Sequence, residues 1–234
     1  MQITLQFSPI LAESDMIAEG VLLTIELSLG AIVLGTAFAT VFAGLRSLGG
    51  RGAAIVIDAY VELLRNTPFL IQLFMIFFGL PLIGLRMSGT EAALLAMTLN
   101  LSAYATEIIR AGVESIHKSQ LEAGLSLALT RRQVFQYVVL MPALARVWPA
   151  LSSQFVLMLL ASSICSFISV PELSGSAAII EQRTFRSFET YIIVTAIYLA
   201  LALSLKLVLA GLGRWMFPNT TGPRQVRTAQ GVAA

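Results

Sequence analysis

Apolar residues gather in long blocks along this chain, at 21–45, 69–85, 91–110, 149–170 and 191–213. Each block approaches the ~20 residues that a helix needs to cross the hydrocarbon core of a bilayer. The pattern predicts an all-α fold, a polytopic membrane helical bundle of about five transmembrane helices. In the first block Ala31, Gly35, Ala39 and Ala43 recur every fourth residue, a stripe that lets a second helix approach closely. Residues 53–65 are too polar to face lipid, because they carry Asp58, Glu62 and Arg65. Glu62 and Arg65 are spaced i,i+3, as are Glu107 and Arg110 near the end of the third block, and both are expected as structural ion pairs. Asn66-Thr67-Pro68 breaks the helix between 53–65 and 69–85, with Pro68 suited to the first turn of a new one. Ser162, Ser163, Ser166 and Ser169 step along the fourth block by three or four. That spacing fits helix–helix contact or a polar stripe on a cavity.

Residues 118–151 form the longest run that is not a span, yet apolar blocks flank it. Ser119 with Glu122 has S-x-x-E spacing, and Thr130 with Gln133 has T-x-x-Q spacing, each the signature of a capping box. Two short helices are predicted, over 120–129 and 131–141, the second stopped by Pro142. Leu121, Leu125, Ala128 and Leu129 fall on one face of the first; Val134, Phe135, Val138 and Val139 fall on one face of the second. A loop of this size cannot bury both faces by itself, so it is expected to dock on its own bundle or on another protein.

The chain is 57% hydrophobic and 12% charged, with a mean hydropathy of +0.84, far from an ordinary soluble domain. Residues 1–19 contain no Lys or Arg but carry Glu13, Asp15 and Glu19, unlike the basic start of a signal peptide. With that segment outside, ten of the fifteen Lys and Arg fall on the inner side. Arg86, Arg183 and Arg186 fall outside, and Arg65 and Lys206 lie within membrane-associated segments. The positive-inside rule then puts the two-helix loop and the C-terminus in the cytoplasm. The expected organisation is an extracytoplasmic segment 1–19, a transmembrane domain 20–213 that includes the loop 118–142, and a cytoplasmic tail 214–234. Glu26 is expected to be interfacial or paired, and 171–189 to be the longest polar outer loop. Lys206 can snorkel and Trp215 suits an interfacial belt.

No G-x-x-x-x-G-K-[ST] occurs, so the chain has no P-loop to cradle ATP. A single histidine, His117, and a single cysteine, Cys165, argue against a metal site, a Ser-His-Asp triad or an internal disulfide. No catalytic residue, cofactor or metal is expected in this chain.

Glu122-Ala123-Gly124, followed by Val139-Leu140-Met141-Pro142, resembles the EAA loop of bacterial ABC-transporter membrane subunits. Here Gly124 replaces the family's third-position Ala, Ala128 replaces its Gly, and Pro142 sits one place late, with Met141 at the usual proline position. Tyr60-Val61-Glu62, Arg65, Thr67-Pro68 and Gln72-Leu73 resemble the Y-V-E-x-x-R-x-T-P-x-x-x-Q-L signature of the polar amino acid subgroup. Ala103-Tyr104, Glu107, Arg110 and Gly112 resemble the run preceding its EAA loop, and Thr184-Phe185-Arg186 its outer loop. The resemblance implies a permease of the bacterial cytoplasmic (inner) membrane that imports a polar amino acid by alternating access. It implies as partners a separate ABC ATP-binding subunit, a second permease copy or homologue, an extracytoplasmic solute-binding protein and the lipid bilayer, with no nucleic acid. ATP would be used by the partner ATPase. Glu122, Ala123, Gly124, Ala128 and Pro142 are the expected coupling residues, and the surface around Glu172–Glu189 is an expected docking face. Gln72, Asn100, Ser102 and Ser163 are candidates for the substrate pathway, as polar groups in apolar spans. An ion-coupled secondary transporter is the alternative. It calls for carboxylates at the membrane centre and inverted repeats, whereas Glu26, Glu91 and Glu107 fall near span ends. An intramembrane enzyme and a helix-turn-helix DNA reader fit less well.

Overall fold

The computed structural model describes residues 5–48 and 50–218. The expected tail beyond residue 218 lies outside them. Ten α-helices follow in order: α1 (Ser8–Leu11), α2 (Ser14–Leu48), α3 (Arg51–Arg65), α4 (Phe69–Gly79), α5 (Gly89–Glu114), α6 (Lys118–Ser126), α7 (Arg131–Gln133), α8 (Met141–Ala161), α9 (Leu173–Thr184) and α10 (Ser187–Met216). Among the described residues four helical stretches are long and apolar enough to cross a membrane: Ser14–Arg46, Gly89–Glu114, Arg131–Ile168 and Ser187–Met216. The span expected at 69–85 is instead the second arm of a bent helix pair. Arg51–Arg65 and Phe69–Ile83 meet at 105°, because Pro68 lacks the N–H that would continue the helix.

The α5 helix is the axis of the bundle. In its most apolar window 67% of residues are buried, against 11% in that of α10. The small-residue stripe of α2 explains how α5 is covered. Ala31, Gly35, Ala39 and Ala43 are all buried, and a Cβ added at Gly35 would sit 3.1 Å from Leu101 of α5. Leu73, Met97, Leu101, Leu151, Phe155 and Met158 join these residues in one core. At its start α5 carries a capping box not read from the sequence: the Ser88 hydroxyl accepts from the Glu91 N–H, and the Glu91 carboxylate accepts from the Ser88 N–H at 2.8 Å.

Three expectations are corrected. Pro142 does not end a helix. The segment Val134–Leu140 is π-helical and Pro142 falls in the first turn of α8, so helix runs without interruption from Arg131 to Ile168. The wider π turn displaces the hydrogen-bond ladder at the place where proline offers no donor. The fourth span therefore starts inside the loop, rather than at residue 149. Residues 171–189 are not a polar loop but hold α9, whose Leu173, Ala177 and Ile180 are buried at helical spacing.

Glu172, expected on that exposed loop, is fully buried at the N-cap of α9. Its carboxylate accepts from the Gly175 N–H (2.9 Å), the Ser174 N–H (3.0 Å) and the Tyr198 hydroxyl of α10 (2.6 Å). Thr24 Oγ1 of α2 lies 3.4 Å away and accepts from the Leu173 N–H. One carboxylate thus ties α2, α9 and α10 together at the end of the bundle opposite α6. Burial pushes this carboxyl above the ordinary value of 4.5, and the donated hydrogen bonds oppose the shift. The folded chain then holds the proton more tightly than the unfolded chain. This group's contribution to stability falls as pH rises from the ordinary value through the raised one.

Glu172→Ala removes the cap and strands the Tyr198 hydroxyl, so it should lower stability by about 2 kcal/mol in thermal unfolding of the purified protein. Glu172→Gln should narrow its stability gap to the parent as pH rises from 4.5 towards neutrality; a gap independent of pH would refute the buried titrating carboxyl.

Candidate functional site

Two features stand out: the loop between α5 and α8, and an open cavity beside the break between α3 and α4. The loop's turn consists of two capping devices set back to back. At the end of α6 the Leu129 N–H donates to the Gly124 carbonyl (3.3 Å) and the Ala128 N–H to the Leu125 carbonyl (2.9 Å), the pair of bonds of a Schellman motif. The motif requires a left-handed residue, and Ala128 supplies it at φ 61°. Thr130 then caps the following helix. Its N–H donates to Gln133 Oε1 at 2.8 Å, and the Gln133 N–H donates back to Thr130 Oγ1 at 3.4 Å.

The box expected at Ser119 and Glu122 does not form. Helix α6 begins two residues earlier, with His117 as its cap, and His117 Nδ1 accepts from the Ser119 N–H at 3.2 Å. Glu122 is consequently exposed, and no side-chain partner for it occurs among the described residues. Ala123 and Pro142 are exposed as well. Gly124 is buried, and a Cβ there would lie 3.0 Å from Val134 Cγ2, so its lack of a side chain seats α6 against the next helix. Val134, Phe135 and Val139 pack with Ile116 and Ala143 into a small separate core. Leu121 and Leu125 remain exposed, and together with Phe135 they line a groove of about 520 Å³.

A chain of alternating charges lies at the same end. Asp58 accepts from Arg46 at 2.6 Å; Arg46 reaches Glu114 at 3.7 Å; Glu114 accepts from Arg110 at 2.7 Å. Arg110 Nε donates to Glu107 at 2.8 Å, and Glu107 lies 3.8 Å from Arg65. The Glu107–Arg110 pair is present. A Glu62–Arg65 pair is not: Glu62 accepts instead from Asn66 Nδ2 at 2.8 Å, because the helix break turns that amide back on it. Arg46 and Asp58 are on different helices, which hides their pairing in the sequence, whereas Arg110 and Glu114 are an i,i+4 pair on α5 that local spacing could have shown. Single half-exposed pairs contribute little, about 0–1 kcal/mol. Here their alternation joins α2, α3 and α5.

The cavity, about 480 Å³, is lined by Arg65, Asn66, Phe69, Asn100, Tyr104, Gln154, Leu157, Met158 and Ala161, among others. The Arg65 guanidinium stacks over Tyr104, 5.7 Å from the ring centroid. Of the four pathway candidates, only Asn100 lines this space. Gln72 stands behind it: Gln72 Oε1 accepts from Asn100 Nδ2 at 2.9 Å, and Gln72 Nε2 donates to the Leu64 carbonyl at 2.7 Å and to Thr67 Oγ1 at 2.8 Å. Gln72 therefore splints the helix break and fixes the Asn100 amide. The Ser102 hydroxyl bonds to Tyr60 and the Leu99 carbonyl, and that of Ser163 to the Leu160 carbonyl. Gln154 was not anticipated; a lone amide inside the fourth apolar block was the available signal.

Ala128 carries a Cβ in left-handed backbone, at a cost of about 1 kcal/mol. Ala128→Gly should recover roughly that amount in thermal unfolding and slow amide exchange at Leu129, whereas Thr130→Ala should lose about 1 kcal/mol through the missing cap. No gain from the glycine would contradict the turn geometry.

Comparison with known proteins agrees with this architecture. The family model described as binding-protein-dependent transport system inner membrane component matches residues 31–218. The probable glutamine ABC transporter permease protein GlnM of Bacillus subtilis is 37% identical over 182 residues, covering 76% of this chain and 81% of the relative. The glutamine transport system permease protein GlnP of Escherichia coli is 34% identical over 203 residues, covering 86% and 93%. A crystal structure of an amino acid ABC transporter with histidines superposes with a TM-score of 0.82 at 32% identity, covering 91% of this chain and all of that one. An inward-facing MetNI methionine ABC transporter shares the fold, with a TM-score of 0.74 at 18% identity and coverage of 88% and 98%. An all-helical bundle with a broken span and a doubly capped loop, matched over most of its length, belongs to the inner membrane components of binding-protein-dependent transport systems.

Proposed function

We propose that the chain is the permease subunit of an ATP-driven ABC importer for a polar amino acid, and that its loop carries the ATPase's movement to the transport pathway. One observation supports this above the others. The helical rod Arg131–Ile168 begins at the capped, exposed loop and carries Gln154, Leu157, Met158 and Ala161 on the wall of the cavity. A displacement applied to α6 passes through the Gly124–Val134 contact into that rod and so reaches the cavity.

The exposed Glu122 and the uncovered Leu121 and Leu125 suit a protein partner, and the chain lacks a P-loop of its own. The partner on this reading is the ATP-binding subunit. The positive-inside count puts the loop and the C-terminus in the cytoplasm and the N-terminus outside. The cavity opens to one side, where a second permease copy or a homologue closes it. An external solute-binding protein delivers the cargo at the opposite end, near α9.

The amino acid reading rests on the cavity's chemistry together with the cargo named for the relatives. A guanidinium suits an α-carboxylate. The Asn100 and Gln154 amides suit a polar side chain, with Phe69, Leu157 and Met158 around the aliphatic part. A volume of about 480 Å³ admits one amino acid.

Two outcomes are expected. Glu122→Ala weakens retention of the ATPase on the purified permease about tenfold, or about 1.4 kcal/mol, while membrane insertion is unchanged. Intact co-purification and uptake in that variant would remove Glu122 from the coupling surface. For cargo, Asn100→Ala or Gln154→Ala raises the half-saturating concentration for uptake about tenfold, and Ser163→Ala does not. Equal behaviour of all three would place the pathway elsewhere.

A further inference from the structure

We propose that the groove between α8 and α10, at the end of the bundle that carries α6, is a binding site for an acidic phospholipid. Two cavities make it up. One, of about 440 Å³, is lined by Arg146, Arg214, Trp148 and Phe217. The other, of about 570 Å³, continues along the same two helices past Ser153, Val156 and Leu157 to Lys206. Trp148, Pro149 and Ala210 line both, so the two are one furrow.

The charge in this furrow has one sign. Arg146, Lys206 and Arg214 line it, and no Asp or Glu does. All three are exposed, and neither Lys206 nor Arg214 has a carboxylate partner among the described residues. Arg146 donates to the Ser115 hydroxyl at 2.9 Å, which steadies its guanidinium without neutralising it. Lys206 lies inside an apolar run, where an unpaired ammonium is expensive. It is eight residues from Arg214, ~12 Å along the helix, within reach of a shared headgroup for side chains of this length.

The furrow is also built to persist. Trp148 Nε1 donates to the Leu209 carbonyl at 3.0 Å, and the Trp148 ring lies 5.6 Å from that of Phe217. Gly213 has no room for a side chain against that indole. The indole thus pins α8 to α10 at the mouth of the groove, with the basic groups beside it and apolar wall beyond. A phosphodiester with two acyl chains matches this order: anion at the interface against Arg146 and Arg214, Lys206 reaching up to it, and chains over Val156 and Leu157. Leu157 lines both this furrow and the cavity beside the α3–α4 break, so the two sites adjoin, but the lipid reading uses neither transport nor ATP.

The test is native mass spectrometry of the detergent-purified full-length chain, with whatever subunits accompany it. Phosphatidylglycerol, cardiolipin and phosphatidylcholine of matched chains are added in turn, and glycerol 3-phosphate serves as a headgroup without chains. The expected result is retention of the acidic lipids over phosphatidylcholine by about tenfold. Lys206→Gln with Arg214→Gln should abolish that preference, and Arg183→Gln, at the other end of the bundle, should leave it. Ser153→Trp fills the groove without changing its charge and should displace lipid equally. Equal retention of phosphatidylcholine, or displacement by glycerol 3-phosphate at matching concentration, would overturn the proposal, the latter in favour of a free-anion site. Disulfide formation between Ala210→Cys residues of two copies in native membranes would also overturn it, by showing a second chain in the groove.

Discussion

The contact of α6 with the helix that follows it is the constraint on which the rest depends. Gly124 lets the two backbones approach until Val134 fills the space where a side chain would stand. Ile116, Phe135, Val139 and Ala143 close the small core beneath. The Schellman turn and the Thr130–Gln133 box then leave little freedom between the helices. A hinge with fewer satisfied backbone groups would absorb movement; on the proposed reading this one would pass it on. The helix on its far side continues to Ile168, so the loop and the cavity wall belong to one continuous helical stretch.

The helices around that stretch are tied to one another at both ends of the bundle. The stripe of Ala and Gly on α2 brings α2 against α5, and the alternating charges from Asp58 to Arg65 join α3 to both at the loop end. At the opposite end the buried Glu172 binds α9 to α2 and α10 through hydrogen bonds, without a cation. The bundle is tied at its two ends by different chemistry. Exposed charges serve beside water, and hydrogen bonds to a buried carboxyl serve where neighbouring helices exclude it.

Much of this was legible from local pattern. The apolar blocks announced the spans because a bilayer demands length and greasiness and little else. Thr130 and Gln133 formed their box because nothing nearby competed for either group. Ser119 and Glu122 had the same spacing and failed: His117 offered the backbone a nearer acceptor, and the helix began two residues early. Glu62 and Arg65 were placed to pair within a helix, but the break at Asn66 supplied Glu62 with an amide and left Arg65 to Glu107, 42 residues away. No local rule contains that information. Glu172 was misread for a related reason. A carboxylate in a polar stretch looks solvated until Thr24 and Tyr198 arrive from helices far away in the sequence. The cavity was the least legible feature, since Asn100 and Gln154 come together only through the packing of α5 and α8.

The central claim is that a stiff handle projects on the side of the membrane where ATP is found. Cys165 is the native cysteine and is wholly buried, so a Ser126→Cys substitution on α6 provides a single reactive thiol. The decisive measurement is its labelling by a membrane-impermeant maleimide in intact cells and in inverted vesicles. Protection in cells with rapid labelling in inverted vesicles is the predicted result. Rapid labelling in intact cells would put α6 on the outer face and contradict the account.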